Sequence, residues 1–219
     1  MSYDFDFLLT LPFADRKYER TPRITDRMSV ILPKTGEKVT ILPAHKEEDV
    51  PKGLLEACLE EFNYVIEEGR TYPHYLQQSY EEYMNYLFEG FAAIWIKGEY
   101  NEDWRNEPKE FWDEKFLGYF YIKPNYIGRC SHVCNAGFVV KHTIRGKGLG
   151  LEMGKKYLEL APKLGYVYSV FNLVFETNPA SCRIWDSLGF DRIGYVKNVA
   201  ALKGELKLVG AYMYGKDLV

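Results

Sequence analysis

The chain has no long hydrophobic run. No uninterrupted apolar stretch approaches the ~18 residues a membrane-spanning helix needs, so the expectation is no membrane partner. Cysteine is scarce, four among 219 residues, which does not suggest a disulfide scaffold. Dense Lys/Arg runs are missing and the formal net charge is −3, which argues against nucleic acid or an anionic membrane surface as the main partner. No internal repeat or low-complexity tract is visible, and residues 1–7 are acidic and aromatic, unlike a signal or transit peptide. The expected setting is therefore reducing, the cytoplasm first, with mitochondria not excluded. What the chain does have is aromatic surface. Its 18 Tyr and 13 Phe lift aromatics to 16%, so a large core with many polar-tipped walls is expected. The length suits one large domain, read over residues 28–219, behind an N-terminal arm at 1–27 that has no clear period.

Two short β-like runs, 29–32 and 39–42, flank a polar stretch with Pro33 and Gly36, and read as a hairpin. From 47 to 68 the pattern turns helical, with Leu54, Cys58, Phe62 and Ile66 on one stripe and Gly69 as the stop. A Tyr-rich helix is expected at about 78–88 and a strand at 91–96. A polar, acidic loop follows at 101–114, then a strand at 116–122 stopped by Pro124.

Residues 137–150 run from an apolar strand through a turn into a glycine-dense helix start. Leu149, Met153, Tyr157, Leu160 and Leu164 share one face of that helix, and Pro162 and Gly165 mark its end. Gly146, Gly148 and Gly150 remove β-carbons where backbone must approach a ligand. The free N–H groups of a first helical turn favour an anion, and Arg145 and Lys147 add positive charge. This is a diphosphate-sized cradle. The Walker pattern fails for want of Gly-Lys-Ser/Thr, and the dinucleotide pattern fails because Leu151 stands where the third glycine belongs. A second unit follows: a strand at 168–178, then a helix at 179–188 closed by Gly189.

Arg145-x-x-Gly148-x-Gly150, followed by Asn178-x-x-Ser181-x-x-Ile184-Trp185-x-x-x-Gly189-Phe190, resembles the two signatures of the GNAT superfamily of acyl-CoA transferases. More closely, the chain is similar to the yeast-type N-acetyltransferases of proline analogues such as azetidine-2-carboxylate. That likeness spans roughly 60–218 and is carried by the stretches 68–73, 121–126, 129–132, 134–138, 171–175, 177–178 and 214–218. Residues 1–50 have no match. The resemblance implies a GNAT fold, an α/β architecture with a central mixed, mostly antiparallel sheet flanked by helices. It also implies an acetyl-CoA-dependent N-acetyltransferase acting on a small-molecule amine or imino acid.

By the same resemblance, Val139, Val140, Arg145, Gly146, Lys147, Gly148, Leu149, Gly150, Asn178 and Ser181 would bind the cofactor. Asn135, Phe138 and Asn172 would line the substrate, and Asn172 and Asn178 would be catalytic. A backbone N–H near 138–140 would serve the acetyl carbonyl. A tyrosine often protonates the departing thiolate in this superfamily. Trp185 stands at that position here and cannot transfer a proton, but a thiolate can leave unaided. Strand alternation puts Asn172, Val174, Glu176 and Asn178 on one face, opposite Phe171, Leu173 and Phe175. Asn135 also fits a turn and Asn178 a helix cap. Glu176 reads as a solvated strand-end carboxylate, or as a base acting through water. Cys130, His132 and Cys134 alternate as on one strand face, but no fourth ligand partners them, so no metal is expected. His45 and His142 have no supporting context. Two other functions stay open: acetylation of a protein or peptide amine, and a non-catalytic acyl-CoA-binding module. The number of copies is open too, a homodimer included.

Overall fold

The computed structural model describes residues 23–219. Its elements are β1 (Met28–Ile31), β2 (Lys38–Ala44), α1 (Lys52–Glu68), α2 (Tyr80–Leu87), β3 (Phe91–Lys97), α3 (Lys109–Lys115), β4 (Phe116–Pro124), β5 (Val133–Val140), α4 (Leu149–Lys163), β6 (Tyr168–Phe175), α5 (Pro179–Ser187), β7 (Asp191–Ala200) and β8 (Val209–Asp217). The strands form one eight-stranded sheet in the order β1-β2-β3-β4-β5-β6-β8-β7. Every junction is antiparallel except β5–β6. One face packs on α1, α2 and α3 through Phe62, Tyr83, Trp112 and Tyr119. The other packs on α4 and α5 through Trp95, Phe120, Met153, Tyr157 and Trp185. The mixed, mostly antiparallel α/β sheet expected from the sequence is what forms. Of the arm at 1–27, residues 1–22 lie outside the described residues. Arg23 donates to the Leu164 carbonyl at 3.1 Å, and Ile24 packs on the core.

Three elements differ from expectation. The helix read from residue 47 begins at Lys52, because Val50 is extended ahead of Pro51, as a residue preceding proline must be; a separate short turn covers Glu47–Asp49. The loop read at 101–114 contains a 3-10 turn, Glu102–Asn106, and helix α3. Seven residues are too few to show a period, and α3 is held by burial of Trp112 against α1. The strand read to 178 stops at Phe175, and its pairing with β8 shifts register between Phe171 and Val174.

The β5–β6 junction positions the site. The two strands pair only at Val133–Tyr168 and Cys134–Ser169, then separate. A buried clip marks the point of separation. The Cys134 thiol lies 3.1 Å from the Tyr157 hydroxyl, which donates to Ser169 Oγ at 2.6 Å, and burial pushes that thiol up to about 12.

Candidate active site

Where the strands part, β5 offers an unpaired edge. Lys141 N–H donates to Leu117 O and Asn125 N–H to Val133 O, which fixes the alternation: odd-numbered residues of β5 bond to β4. The amides of Ala136, Phe138 and Val140 therefore face the gap, whereas that of Val139 is committed to β4. Val139 and Val140 both line the cavity described next, but only Val140 has its amide turned to the gap. The Phe138 ring lies in an aromatic nest with Phe120, Tyr157, Phe171 and Trp185, so this residue offers the site its backbone rather than its ring.

The gap opens into a cavity of 580 Å³ lined by β5, β6, the start of α5 and residues 71–73. A second cavity of 440 Å³ lies over the glycine turn. Val140, Arg145, Gly150, Ala180 and Ile184 border both, so the two join into one groove. The groove runs from the cradle through the parted strands to the opposite face of the sheet.

In the cradle, Gly146 and Gly148 hold φ of +81° and +90°, left-handed backbone that favours glycine, and Gly148 caps α4. Gly150 does different work. A β-carbon there would meet Ile184 Cδ1 at 3.1 Å, so its missing side chain lets α4 approach α5. Leu149 is buried in the core and has only backbone to offer. Arg145 is tied back to α1, donating Nη1 to both Glu68 oxygens at 3.0 and 2.9 Å, so its charge is already answered inside the protein. Lys147 is exposed and has no ion pair among the described residues. The left-handed glycine turn, the helix start and the uncommitted Lys147 fit a diphosphate.

His142, without context in the sequence, anchors this turn. Its N–H donates to Glu61 Oε1 at 2.7 Å, its Nδ1 lies 2.8 Å from Glu61 Oε2, and its ring stacks on Tyr64. Glu61 is buried on α1, so both of its oxygens are spent on fixing the approach to the cradle.

On the opposite face stands an amide network. Asn135 donates Nδ2 to Asn125 Oδ1 at 3.1 Å, Asn172 donates to the same oxygen at 2.5 Å, and Asn125 returns a bond to Asn172 Oδ1 at 3.2 Å. Asn125 thus ties β5 to β6 across the gap. The sequence did not mark it as a site residue. Beside it, Tyr121 OH meets both Tyr72 OH, at 3.3 Å, and Tyr86 OH. Burial holds the Tyr72 and Tyr86 phenols far above their ordinary range, so both serve as donors rather than bases. Lys123 Nζ lies over the Tyr86 ring at 4.6 Å and pairs with Glu89 at 2.8 Å. His74 packs on Phe62, Tyr72 and Tyr86; burial and then Lys123 lower its pKa.

Other expectations are corrected. The register shift puts Asn172 and Leu173 out of phase, so Phe171 and Val174, expected on opposite faces, share one core. Glu176 does not join the asparagines. It accepts from Gly210 N–H and Tyr195 OH, both at 2.8 Å, and those bonds hold its pKa low. Asn178 caps α5, accepting Ser181 N–H at 3.2 Å, and also lines the cavity. Trp185 is buried and donates its indole N–H to Ser181 Oγ at 2.9 Å, leaving no hydrogen for a departing sulfur. Cys130 sits in an exposed turn before β5, away from Cys134, and among the described residues no three His, Cys, Asp or Glu are grouped to hold a metal ion. No helix among the described residues is long and apolar enough to cross a membrane.

A cradle that fits a diphosphate, joined by a slot to a second, polar chamber, suits an enzyme that moves a group from a phosphorylated carrier to a second substrate. The model of the acetyltransferase (GNAT) family matches residues 60–190. The N-acetyltransferase aca1 of Schizosaccharomyces pombe is 42% identical over 155 residues, 69% of this chain and 74% of that protein. Protein SPT10 of Saccharomyces cerevisiae is 34% identical over 85% of this chain, which spans only 35% of that longer protein. Among solved structures, a GCN5-related N-acetyltransferase from Kribbella flavida has the same fold, with TM-score 0.66 at 22% identity over 81% of this chain and 97% of that one. An acetyltransferase from Salmonella typhimurium, solved with its cofactor acetyl-CoA, has TM-score 0.61 at 16% identity, covering 82% and 94%. The chain belongs to the GNAT acetyltransferase family, and it is an acetyl-CoA-dependent N-acetyltransferase.

Proposed function

We propose that the acceptor is a small imino acid, with azetidine-2-carboxylate or a proline derivative as the representative substrate. One observation carries this reading. Among the described residues, the cavity between β5 and β6 is lined by Asn135, Asn172, Asn178, Tyr72, Tyr86, Tyr121 and Lys123, and by no Asp or Glu. Amide and phenol donors suit a carboxylate-bearing substrate. A cationic lysine peptide would find no counter-charge there.

Bound acetyl-CoA supplies an activated acetyl thioester. The chain's part is orientation: Asn172 and Asn135 grip the acceptor, and the edge amides of Phe138 and Val140 polarise the acetyl carbonyl. The C–N bond forms as the C–S bond breaks, the amine proton passes to water, and CoA leaves as a thiolate. Asn178 contributes its amide hydrogens to the reacting groups. No carboxylate base lines the cavity among the described residues, so the amine reacts as its neutral fraction.

The test is acetyl transfer to azetidine-2-carboxylate run beside a lysine peptide. Preference for the imino acid supports the proposal, and preference for the peptide overturns it.

A further inference from the structure

The segment matched by the family model begins at residue 60, yet a wall of the cradle comes from well before it. Leu32, Pro33 and Lys34, at the tip of the β1–β2 hairpin, border the cavity over the glycine turn. The hairpin is firmly held: Leu32 is buried in the same core as Leu149 and Met153, and its N–H and carbonyl close the turn with Glu37 and Gly36 at 2.9 Å each. Lys34 is thereby carried to the mouth of the site on a braced support. Its Cδ, Cε and Nζ lie 3.0, 3.2 and 3.6 Å from the point where a β-carbon on Gly148 would stand. The ammonium is therefore over the cap of α4, where the helix presents its free N–H groups.

The charges around the cradle sharpen the assignment. Arg145 is answered by Glu68, and Glu152, the one carboxylate among the described residues lining that cavity, is paired with Lys155 at 2.8 Å. Lys34 has no ion pair among the described residues, and neither does Arg183, which borders the same cavity from α5. An exposed cation held above a helix start, with no protein anion to meet it, is placed for a ligand anion.

We infer that Lys34 is a binding residue for the nucleotide end of acetyl-CoA, contacting a CoA phosphate and closing the cradle from outside the family-matched segment. This rests on the acetyl-CoA reading of the groove and is independent of which amine is acetylated. The experiment compares Lys34→Met, which keeps the stem and removes the charge, with Lys34→Arg, which keeps the charge. CoA affinity by calorimetric titration and steady-state constants for both substrates are measured at low and high salt, and the affinity should follow the KM. The Met variant should raise the KM for acetyl-CoA by about 10-fold, the size of one charge-assisted hydrogen bond. Its acceptor KM and its kcat at saturating acetyl-CoA should not change. The Arg variant should stay within about 2-fold of the parent, and the parent's acetyl-CoA KM should respond to salt more steeply than the Met variant's. An unchanged acetyl-CoA KM in Lys34→Met would overturn the inference, and so would an equal rise in both variants, which would make the effect one of packing. A parent enzyme that does not use acetyl-CoA at all would instead refute the underlying reading, and the two failures are distinguishable.

Discussion

Asn178 accepts the Ser181 N–H at 3.2 Å, and that single bond decides which end of its amide faces the cavity. With Oδ1 fixed on the first turn of α5, the NH2 group is left for the substrate side. Capping and donation are therefore separable by mutation. Asn178→Asp keeps an acceptor for the cap and loses both donors. It should hold its melting temperature near that of the parent while kcat/KM falls by about 10–100-fold. Asn178→Ala should lose activity and also about 1 kcal/mol of stability. Thermal melts read beside kinetics check both, and full activity in the Asp variant would remove Asn178 from the chemistry.

Asn125 holds Asn135 and Asn172 at once. Asn125→Ala should lower kcat/KM for the acceptor by about 10-fold, the loss expected on freeing two oriented amides, with the acetyl-CoA KM unchanged. Because the two act as one network, adding Asn172→Ala should cost less than its effect alone. Strict additivity in that double-mutant cycle would show that the three amides act separately.

Trp185 packs against Phe138, Phe171 and Phe190 with its N–H already bonded to Ser181. Trp185→Phe should therefore keep kcat within about 10-fold of the parent and lose about 1–3 kcal/mol of stability from the smaller side chain and the lost bond. Denaturant unfolding and saturation kinetics separate the two. A collapse of kcat in a folded variant would restore a direct role in thiolate departure.

Gly148 has φ of +90° and Lys34 close above it. Gly148→Val combines backbone strain of about 1–2 kcal/mol with displacement of that lysine. Calorimetric titration with CoA should show binding lost while the fold persists. Unaltered affinity would mean that the diphosphate lies elsewhere.

His74 is held neutral, its pKa lowered by burial and by Lys123. The unfolded chain binds the proton more readily, so the stability this group contributes is present above the unfolded value of about 6.5 and is lost as pH falls toward its lower folded value. Melting temperatures measured from pH 7.5 to 5 should decline less steeply in His74→Gln than in the parent. Parallel slopes would exclude His74 as the cause.

The cradle could be read from the sequence because its signal is local. Glycine spacing, a strand before and an amphipathic helix after all fall between 137 and 164. The amide chamber was only half visible, since Tyr72, Tyr86 and the end of β4 with Lys123 and Asn125 are separate segments that only the sheet and α2 bring together. Alternation also failed at Asn172 and Leu173, because a register shift depends on the partner strand and leaves no mark on the strand's own pattern. Glu61 and His142 stand 81 positions apart, and neither has a neighbour in sequence that announces the pair.

The clip of Cys134, Tyr157 and Ser169 works as a spine joining two leaves, β1 to β5 on one side and β6 to β8 on the other. A ligand lying between the leaves would be a wedge, and bonds to the amides of Ala136, Phe138 and Val140 would make it stand in for the missing neighbour of β5. The sheet thus has a margin in its middle as well as at its rims, and the middle one is where the groove lies.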